Sequence, residues 1–139
     1  MNFTLDPRLA ADCLVLGDAP LCRWLLMKDA RYPWCILVPR QASVHEIFEL
    51  DAADRTELLE ESVLLGQAMM QAFGGGKLNV AALGNVVRQL HVHHVVRHQG
   101  DAAWPSPVWG HGAPVPYSPE ALATTQQRLH EALPQWRTS

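Results

Sequence analysis

The chain has 139 residues, of which 48% are apolar, and a formal net charge of −3 with histidine neutral. This is the size of one domain with a substantial core, and the acidic balance argues against a dedicated nucleic-acid binder, which needs a basic face. Residues 1–12 lack the positive end and apolar run of a signal peptide, and no window is apolar over the length of a membrane helix. We therefore expect one cytoplasmic domain that binds neither nucleic acid nor membrane.

The first part of the chain has the pattern of a three-stranded meander. Residues 13–40 contain three short apolar runs, separated by turn residues at Gly17-Asp18 and at Arg31-Tyr32-Pro33. Short apolar runs bounded by turns are typical of strands.

The same region carries all the cysteines, which are Cys13, Cys22 and Cys35. An odd number of cysteines without CxxC spacing favours reduced, buried thiols in a cytoplasmic protein. A disulfide between Cys13 and Cys22 across a hairpin is the alternative.

A helical turn and a long helix are predicted next. Ser43 and Glu46 have the spacing of a capping box, which predicts a short helical turn over residues 43–50. The clearest helix covers residues 51–73, because Asp51 can cap its start, three glycines follow its end, and apolar residues recur at helical spacing. These residues are Leu58, Leu59, Val63, Leu65, Ala68, Met69 and Phe73.

The rest of the chain predicts two strands and a tail. Residues 77–84 and 89–97 have the composition of strands, with a short turn around Gly84-Asn85. After Gly100 the chain is rich in proline and tryptophan, which predicts an ordered but irregular tail that ends in a helix from about residue 118 to residue 133. A meander, a long helix and two more strands predict an α+β fold with a mostly antiparallel sheet.

Histidines are concentrated near the last predicted strand. Side chains alternate between the faces of a strand, so Gln89, His91 and His93 share one face, whereas His94 lies on the other. The His91–His93 pair has three possible uses. It can be an ordinary half-exposed pair, it can bind zinc with a ligand from elsewhere, or it can attack a phosphate ester with one ring while the other donates a hydrogen bond.

Residues 84–97, GNVVRQLHVHHVVR, resemble the motif of the histidine triad (HIT) superfamily, in which histidines alternate with apolar residues. Residues 28–50 resemble the upstream strand of that family, and the long helix lies between them as in the family. The resemblance covers about residues 12–104 of a single domain, 1–139, whose remainder is the tail and C-terminal helix, 105–139. It implies a HIT-like α+β fold with a five-stranded sheet, a homodimer, a nucleotide or nucleotide-conjugate ligand and no cofactor, although magnesium can accompany the substrate.

The resemblance also implies roles for the histidines. Alignment of Arg97 and the Gly-Asp pair at 100–101 with the family places Gln89, His91 and His93 at the first, second and third triad positions. His91 is then the nucleophile that attacks the α-phosphorus of a nucleotide, and His93 is a hydrogen-bond donor to a phosphate oxygen or the departing group. The implied function is a nucleotide hydrolase or nucleotidyl transferase. The alternatives are a non-catalytic nucleotide-binding protein and, third, a zinc protein.

The chain departs from the family motif at several positions. Gln89 replaces the first histidine, and a carboxamide does not titrate near neutral pH. Val86 replaces a phosphate-contacting hydroxyl residue, which leaves the neighbouring Asn85 as a candidate phosphate contact. Trp34-Cys35 stands where the family has Gly-His. These changes indicate a divergent branch with another substrate or weak activity.

Four further residues are candidate nucleotide contacts, each with a structural alternative. Asp29 is a ribose contact or a turn residue, and Arg97 is a phosphate contact or a solvated strand end. Trp104 and Trp109 either close a nucleotide pocket or stiffen a tail packed on the core. Of the remaining histidines, His45, His111 and His130 are predicted to be surface residues, whereas His94 and His98 are predicted to pack or to face solvent.

Overall fold

The computed structural model describes residues 2–138 as an α+β fold built on one antiparallel sheet. Its elements are α1 (Pro7–Asp12), β1 (Cys13–Asp18), β2 (Cys22–Met27), β3 (Trp34–Pro39), a 3-10 turn (Ile47–Glu49), α2 (Ala52–Phe73), β4 (Lys77–Ala81), β5 (Val92–Arg97), α3 (Pro119–Ala132) and a second 3-10 turn (Pro134–Trp136). The strands lie in the order β1-β2-β3-β5-β4, each antiparallel to its neighbours. The predicted α+β architecture, with a five-stranded antiparallel sheet, one long helix and a C-terminal helix, is confirmed.

Apolar clusters cover both faces of the sheet. One face packs against α2 and α3 through residues that include Leu65. The other face lies under α1 and the tail, with Leu9 and Val108 in its cluster. Because side chains alternate along β5, the buried His93 and His94 point into opposite clusters.

Helix α2 has the predicted ends. The Asp51 side chain accepts a hydrogen bond from the Asp54 amide, and Gly74 ends the helix in a left-handed conformation with φ 65°. The predicted apolar stripe is only partly buried, because Leu59 and Val63 face outward with 61% and 48% of their surface exposed. The helix therefore has a second apolar surface that the described residues do not cover.

Three local predictions need correction. The capping box at the first 3-10 turn is formed by Glu46 and Glu49, whereas Ser43 has a positive φ of 61°. Strand β5 begins at Val92 rather than at residue 89, because residues 82–91 form a loop whose Leu90 amide bonds to the Val44 carbonyl. The predicted turn at Gly17-Asp18 is also wrong, because both residues belong to β1. Helix α1 was not predicted, although Asp6 followed by Pro7 is a common helix start.

The cysteines are free and buried, as the composition favoured. Cys13 lies in the cluster under α1, whereas Cys22 and Cys35 lie in the cluster under α2. Burial raises the pKa of the Cys13 thiol to about 12. These thiols are packing groups rather than nucleophiles.

The tail after β5 is irregular but packed, and α3 follows it within one residue of its predicted bounds. Ala103 and Val108 are buried against the sheet, and Ser118 caps α3 by accepting a hydrogen bond from the Ala121 amide. Within residues 2–138, no helix combines the length and hydropathy that crossing a bilayer requires.

Candidate functional site

His91 lies at the end of the loop before β5, with 6% of its surface exposed. Its Nδ1–H donates a hydrogen bond of 2.7 Å to the backbone carbonyl of Gln89. A carbonyl can only accept, so the neutral ring carries its proton on Nδ1 and keeps a lone pair on Nε2. Among residues 2–138, none forms a hydrogen bond with this Nε2, and the ring lines a cavity of about 250 Å³.

His93 lies beside His91 on the same face, with ring centroids 4.9 Å apart. Its Nδ1 accepts a hydrogen bond of 3.0 Å from the indole Nε1–H of Trp34. The neutral His93 ring therefore carries its proton on Nε2 and can donate from there. Burial, with smaller effects from His91 and His94, lowers the pKa of His93 to about 3. His93 is thus a neutral donor at physiological pH.

His94 belongs to the opposite face, as predicted, and serves packing. Its Nδ1–H donates to the Val92 carbonyl, and its Nε2 accepts a hydrogen bond of 2.7 Å from the Ser62 hydroxyl of α2. Burial lowers the pKa of His94 to about 4, although the bond to Val92 acts in the opposite direction. Both ring nitrogens are therefore used within the fold.

The cavity at His91 includes two basic side chains that the sequence did not single out as site residues. His45 and Arg88 line it together with Gly84 and Gln89. Arg88 directly precedes Gln89 in the motif, so its position next to the triad was the available signal. Asn85 is exposed in the same loop beside Gly84. These groups can surround an anion in front of the His91 ring.

The Gln89 side chain is occupied by the N-terminal part of the chain. Its Nε2 donates to the Thr4 carbonyl at 2.9 Å, and its Oε1 accepts from the Asp6 amide at 2.8 Å. Each half of the amide makes one bond here, so the predicted contact of Gln89 with substrate would use its second N–H or the second lone pair of Oε1.

Asp29 and Trp109 line a second cavity of about 450 Å³, together with Trp34. The carboxylate of Asp29 is already bound by the guanidinium of Arg31 and by the Val115 amide. Burial acts to raise the pKa of Asp29, but the bonds from Arg31 and Val115 lower it below its ordinary value. Asp29 thus bonds within the turn before β3, as its structural alternative predicted, and also to the tail at Val115.

Arg97 and Trp104 lie apart from the cavity of His91. The Arg97 guanidinium makes two bonds of 2.8 and 2.9 Å to Asp101 and one of 3.0 Å to Asn79. It also lies 5.5 Å from the Trp104 ring centroid. The hydrogen bonds from Arg97 lower the pKa of Asp101 to about 2 despite partial burial. Arg97 therefore joins β5 to the start of the tail and is not a solvated strand end.

The zinc alternative lacks a ligand set in the part of the chain that the structure describes. No group of three histidine, cysteine or carboxylate side chains within residues 2–138 is arranged to hold a metal ion.

Three solved structures from bacteria are similar to nearly the whole chain. A histidine triad protein from Marinobacter aquaeolei VT8 is 52% identical with a TM-score of 0.95, and the match covers 98% of this chain and 99% of that one. One from Sinorhizobium meliloti 1021 is 46% identical with a TM-score of 0.92, covering 94% and 97%. One from Bradyrhizobium japonicum is 40% identical with a TM-score of 0.93, covering 95% and 98%.

No curated protein matches the sequence of this chain. The sequence profile of the HIT domain matches residues 8–100, which include the His91–His93 pair and Trp34 but not Trp109. On this match and on the identity with the three bacterial structures, the chain belongs to the HIT domain family.

Proposed function

We propose that this protein binds a nucleotide or nucleotide conjugate at the His91 cavity and cleaves it at the α-phosphate through a covalent nucleotidyl-His91 intermediate. Family membership supports nucleotide binding or processing in general. The observation that carries the specific proposal is the bond from His91 Nδ1–H to the Gln89 carbonyl, which leaves the Nε2 lone pair free at a cavity. A neutral imidazole with a fixed tautomer is a competent nucleophile toward phosphorus.

The reaction proceeds in two displacements. His91 Nε2 forms a bond to the α-phosphorus, and the bond from phosphorus to the leaving group breaks with its electron pair. The carbonyl of Gln89 stabilises the positive charge on the ring, because Nδ1–H stays hydrogen-bonded to it. A water molecule or another hydroxyl acceptor then forms a bond to phosphorus and gives up a proton to the departed leaving group or to solvent. The bond from phosphorus to Nε2 breaks, and its electron pair returns to His91.

His93 acts by hydrogen bonding rather than by charge. Because its pKa is about 3, it stays neutral at physiological pH, and its Nε2–H donates to a phosphate oxygen or to the leaving group. Arg88 and His45 supply hydrogen-bond donors for a phosphate on a cavity wall that also includes Glu46. A positioned donor of this kind contributes roughly two to four powers of ten in rate at most.

We assign the nucleoside part of the ligand to the second cavity, which is next to His93 through its tryptophan side chains. Trp34 and Trp109 line this cavity, and both rings also contact His93, at centroid distances of 5.7 and 5.4 Å. A base can pack against indole rings there. In this proposal Asn85 contacts phosphate, and Asp29 holds the cavity wall.

A non-catalytic nucleotide-binding protein is the second candidate. The observation that favours it is Gln89, whose side chain is bonded to Thr4 and Asp6 and supplies no titratable group. In this alternative the same nucleotide occupies the His91 cavity and the second cavity, but it is not cleaved. The distinction rests on whether a covalent intermediate forms.

The test is covalent trapping with a nucleotide labelled at the α-phosphorus. Acid-quenched wild-type protein is expected to carry label on His91, and His91→Ala is expected to carry none. His111→Ala is the matched control, because its side chain is exposed in the tail. Equal labelling of wild type and His91→Ala contradicts the proposed nucleophile. Binding of unlabelled nucleotide to both proteins, with no label on either, supports the non-catalytic alternative.

We further propose that the protein is a homodimer in the cytoplasm. The exposed Leu59 and Val63 of α2 and Val80 of the edge strand β4 line one continuous apolar surface. Exposed edge strands and apolar patches of this kind are usually covered by another chain. The free cysteines fit a reducing compartment.

A further inference from the structure

The Gln89 side chain binds the N-terminal segment, defined here as residues 2–6. The carboxamide has a donor group and an acceptor group, and each makes one bond to the backbone of this segment: Nε2–H donates to the Thr4 carbonyl, and Oε1 accepts from the Asp6 amide. The contact joins parts of the chain more than 80 residues apart, and both bonds are shorter than 3 Å. These two bonds, called the Gln89 clamp below, join the N-terminal segment specifically to the triad motif.

The same residue orients the His91 ring through its backbone. The Gln89 carbonyl accepts the His91 Nδ1–H bond at 2.7 Å. Residues 82–91 contain no helix or strand, so the direction of this carbonyl depends on the contacts of neighbouring groups. Those contacts are the bond from the Leu90 amide to the Val44 carbonyl on one side and the Gln89 clamp on the other.

The N-terminal segment is itself anchored to the fold. Phe3 and Leu5 pack against the apolar cluster on the face of the sheet that carries His93, and the Phe3 ring lies 5.3 Å from the Arg23 guanidinium. Asp6 caps α1 by accepting a hydrogen bond from the Arg8 amide. Gln89 is thus held against a packed part of the molecule.

We propose that Gln89 is a positioning residue that couples the N-terminal segment to the tautomer and orientation of His91. When the clamp is lost, the peptide after Gln89 can rotate, Nδ1–H loses its acceptor, and the proton redistributes between the two ring nitrogens. The effect on turnover rests on the proposed function, whereas the effect on the ring depends only on the contacts described above.

The first test measures the imidazole tautomers by long-range proton–nitrogen NMR, which needs no substrate. Gln89→Ala removes both clamp bonds. Asp6→Pro removes the amide donor at a residue whose φ of −52° suits proline, and Asp6→Ala keeps the amide while losing the same helix cap. We expect His91 to be an Nδ1–H tautomer in wild type and in Asp6→Ala, and a mixture in Gln89→Ala and Asp6→Pro.

His94 provides an internal reference for the same experiment, because its Nδ1–H also donates to a backbone carbonyl, that of Val92. Its signal should stay unchanged in every folded variant. An unchanged His91 signal in Gln89→Ala overturns the proposal, and so does a shift in that variant without a difference between Asp6→Pro and Asp6→Ala. If Gln89→Ala does not fold, the comparison of the two Asp6 variants decides.

The second test is kinetic and separates this inference from the proposed function. If labelled nucleotide is turned over, Gln89→Ala and Asp6→Pro should lower kcat by about 10- to 100-fold with a smaller change in KM, as is typical when the group orienting a functional imidazole is removed. Gln89→Glu keeps the acceptor for the Asp6 amide and should retain part of the rate. Absence of turnover in wild type contradicts the proposed function, whereas the NMR comparison still tests the coupling.

Discussion

The indole Nε1–H of Trp34 donates a hydrogen bond of 3.0 Å to Nδ1 of His93. Trp34 is the first residue of β3, so one aromatic side chain of this strand sets which ring nitrogen of His93 carries the proton. His93 can donate from Nε2 only while this bond holds Nδ1 unprotonated.

Replacement of Trp34 by phenylalanine removes the hydrogen bond to His93 Nδ1 but keeps an aromatic ring in place. The His93 proton should then be shared between Nδ1 and Nε2. We expect kcat to fall by roughly tenfold or more, since a misplaced imidazole proton removes the donor from the site. Imidazole NMR should show His93 as a mixture of tautomers. Trp109→Phe is the matched control for the NMR measurement, because Trp109 also contacts His93 but its Nε1 has no hydrogen-bond partner within residues 2–138. Equal changes of the His93 tautomer in the two variants contradict the assignment.

The buried His94 should make the fold sensitive to acid. Burial lowers its folded-state pKa to about 4 from an ordinary value of 6.5, so between these pH values the unfolded chain binds a proton that the folded chain does not. The free energy of unfolding therefore falls as pH drops through this window, by up to about 1.4 kcal/mol per pH unit from this group. His94→Asn should have a correspondingly flatter pH dependence in urea denaturation between these limits. Parallel curves for the two proteins argue against a lowered pKa.

Arg97 should matter for stability and not for nucleotide affinity. It is almost completely buried and bonded to Asp101 and Asn79, so Arg97→Lys loses the paired geometry. We expect the free energy of unfolding to fall by about 2 to 4 kcal/mol, with KM unchanged within about twofold. Asp101→Asn should destabilise the fold in the same way. A higher KM with unchanged stability points instead to the phosphate contact considered for Arg97.

The apolar surface of α2 and β4 should mediate dimerisation. Val63→Arg places a charge at its centre and should weaken the dimer by about tenfold or more, because burying an unpaired charge is costly. Sedimentation equilibrium measures the change. Val15→Arg is the control, because Val15 is similarly exposed, at 44%, but lies on β1 at the other edge of the sheet. A wild-type monomer at high concentration contradicts the proposed homodimer.

The sequence pattern was sufficient to predict the α+β fold and the opposite faces of the sheet on which His93 and His94 lie. Strand alternation separates His93 from His94 whatever surrounds them, and the Asp51 cap and glycine stop define α2 by local chemistry alone. His91 and His93 could be predicted as candidate site residues because they belong to one short motif. Such properties depend on neighbours along the chain, so they are visible in the sequence.

Long-range partners were decided by tertiary packing. Gln89 meets Thr4 and Asp6, and Trp34 meets His93, across separations of 59 to 85 residues. The exposed positions of Leu59 and Val63 likewise depend on which side of α2 the sheet covers. A side chain's type states which bonds it can form, but only the folded chain fixes which group lies within reach, and this is why Asp29 and Arg97 were open alternatives until their partners were seen.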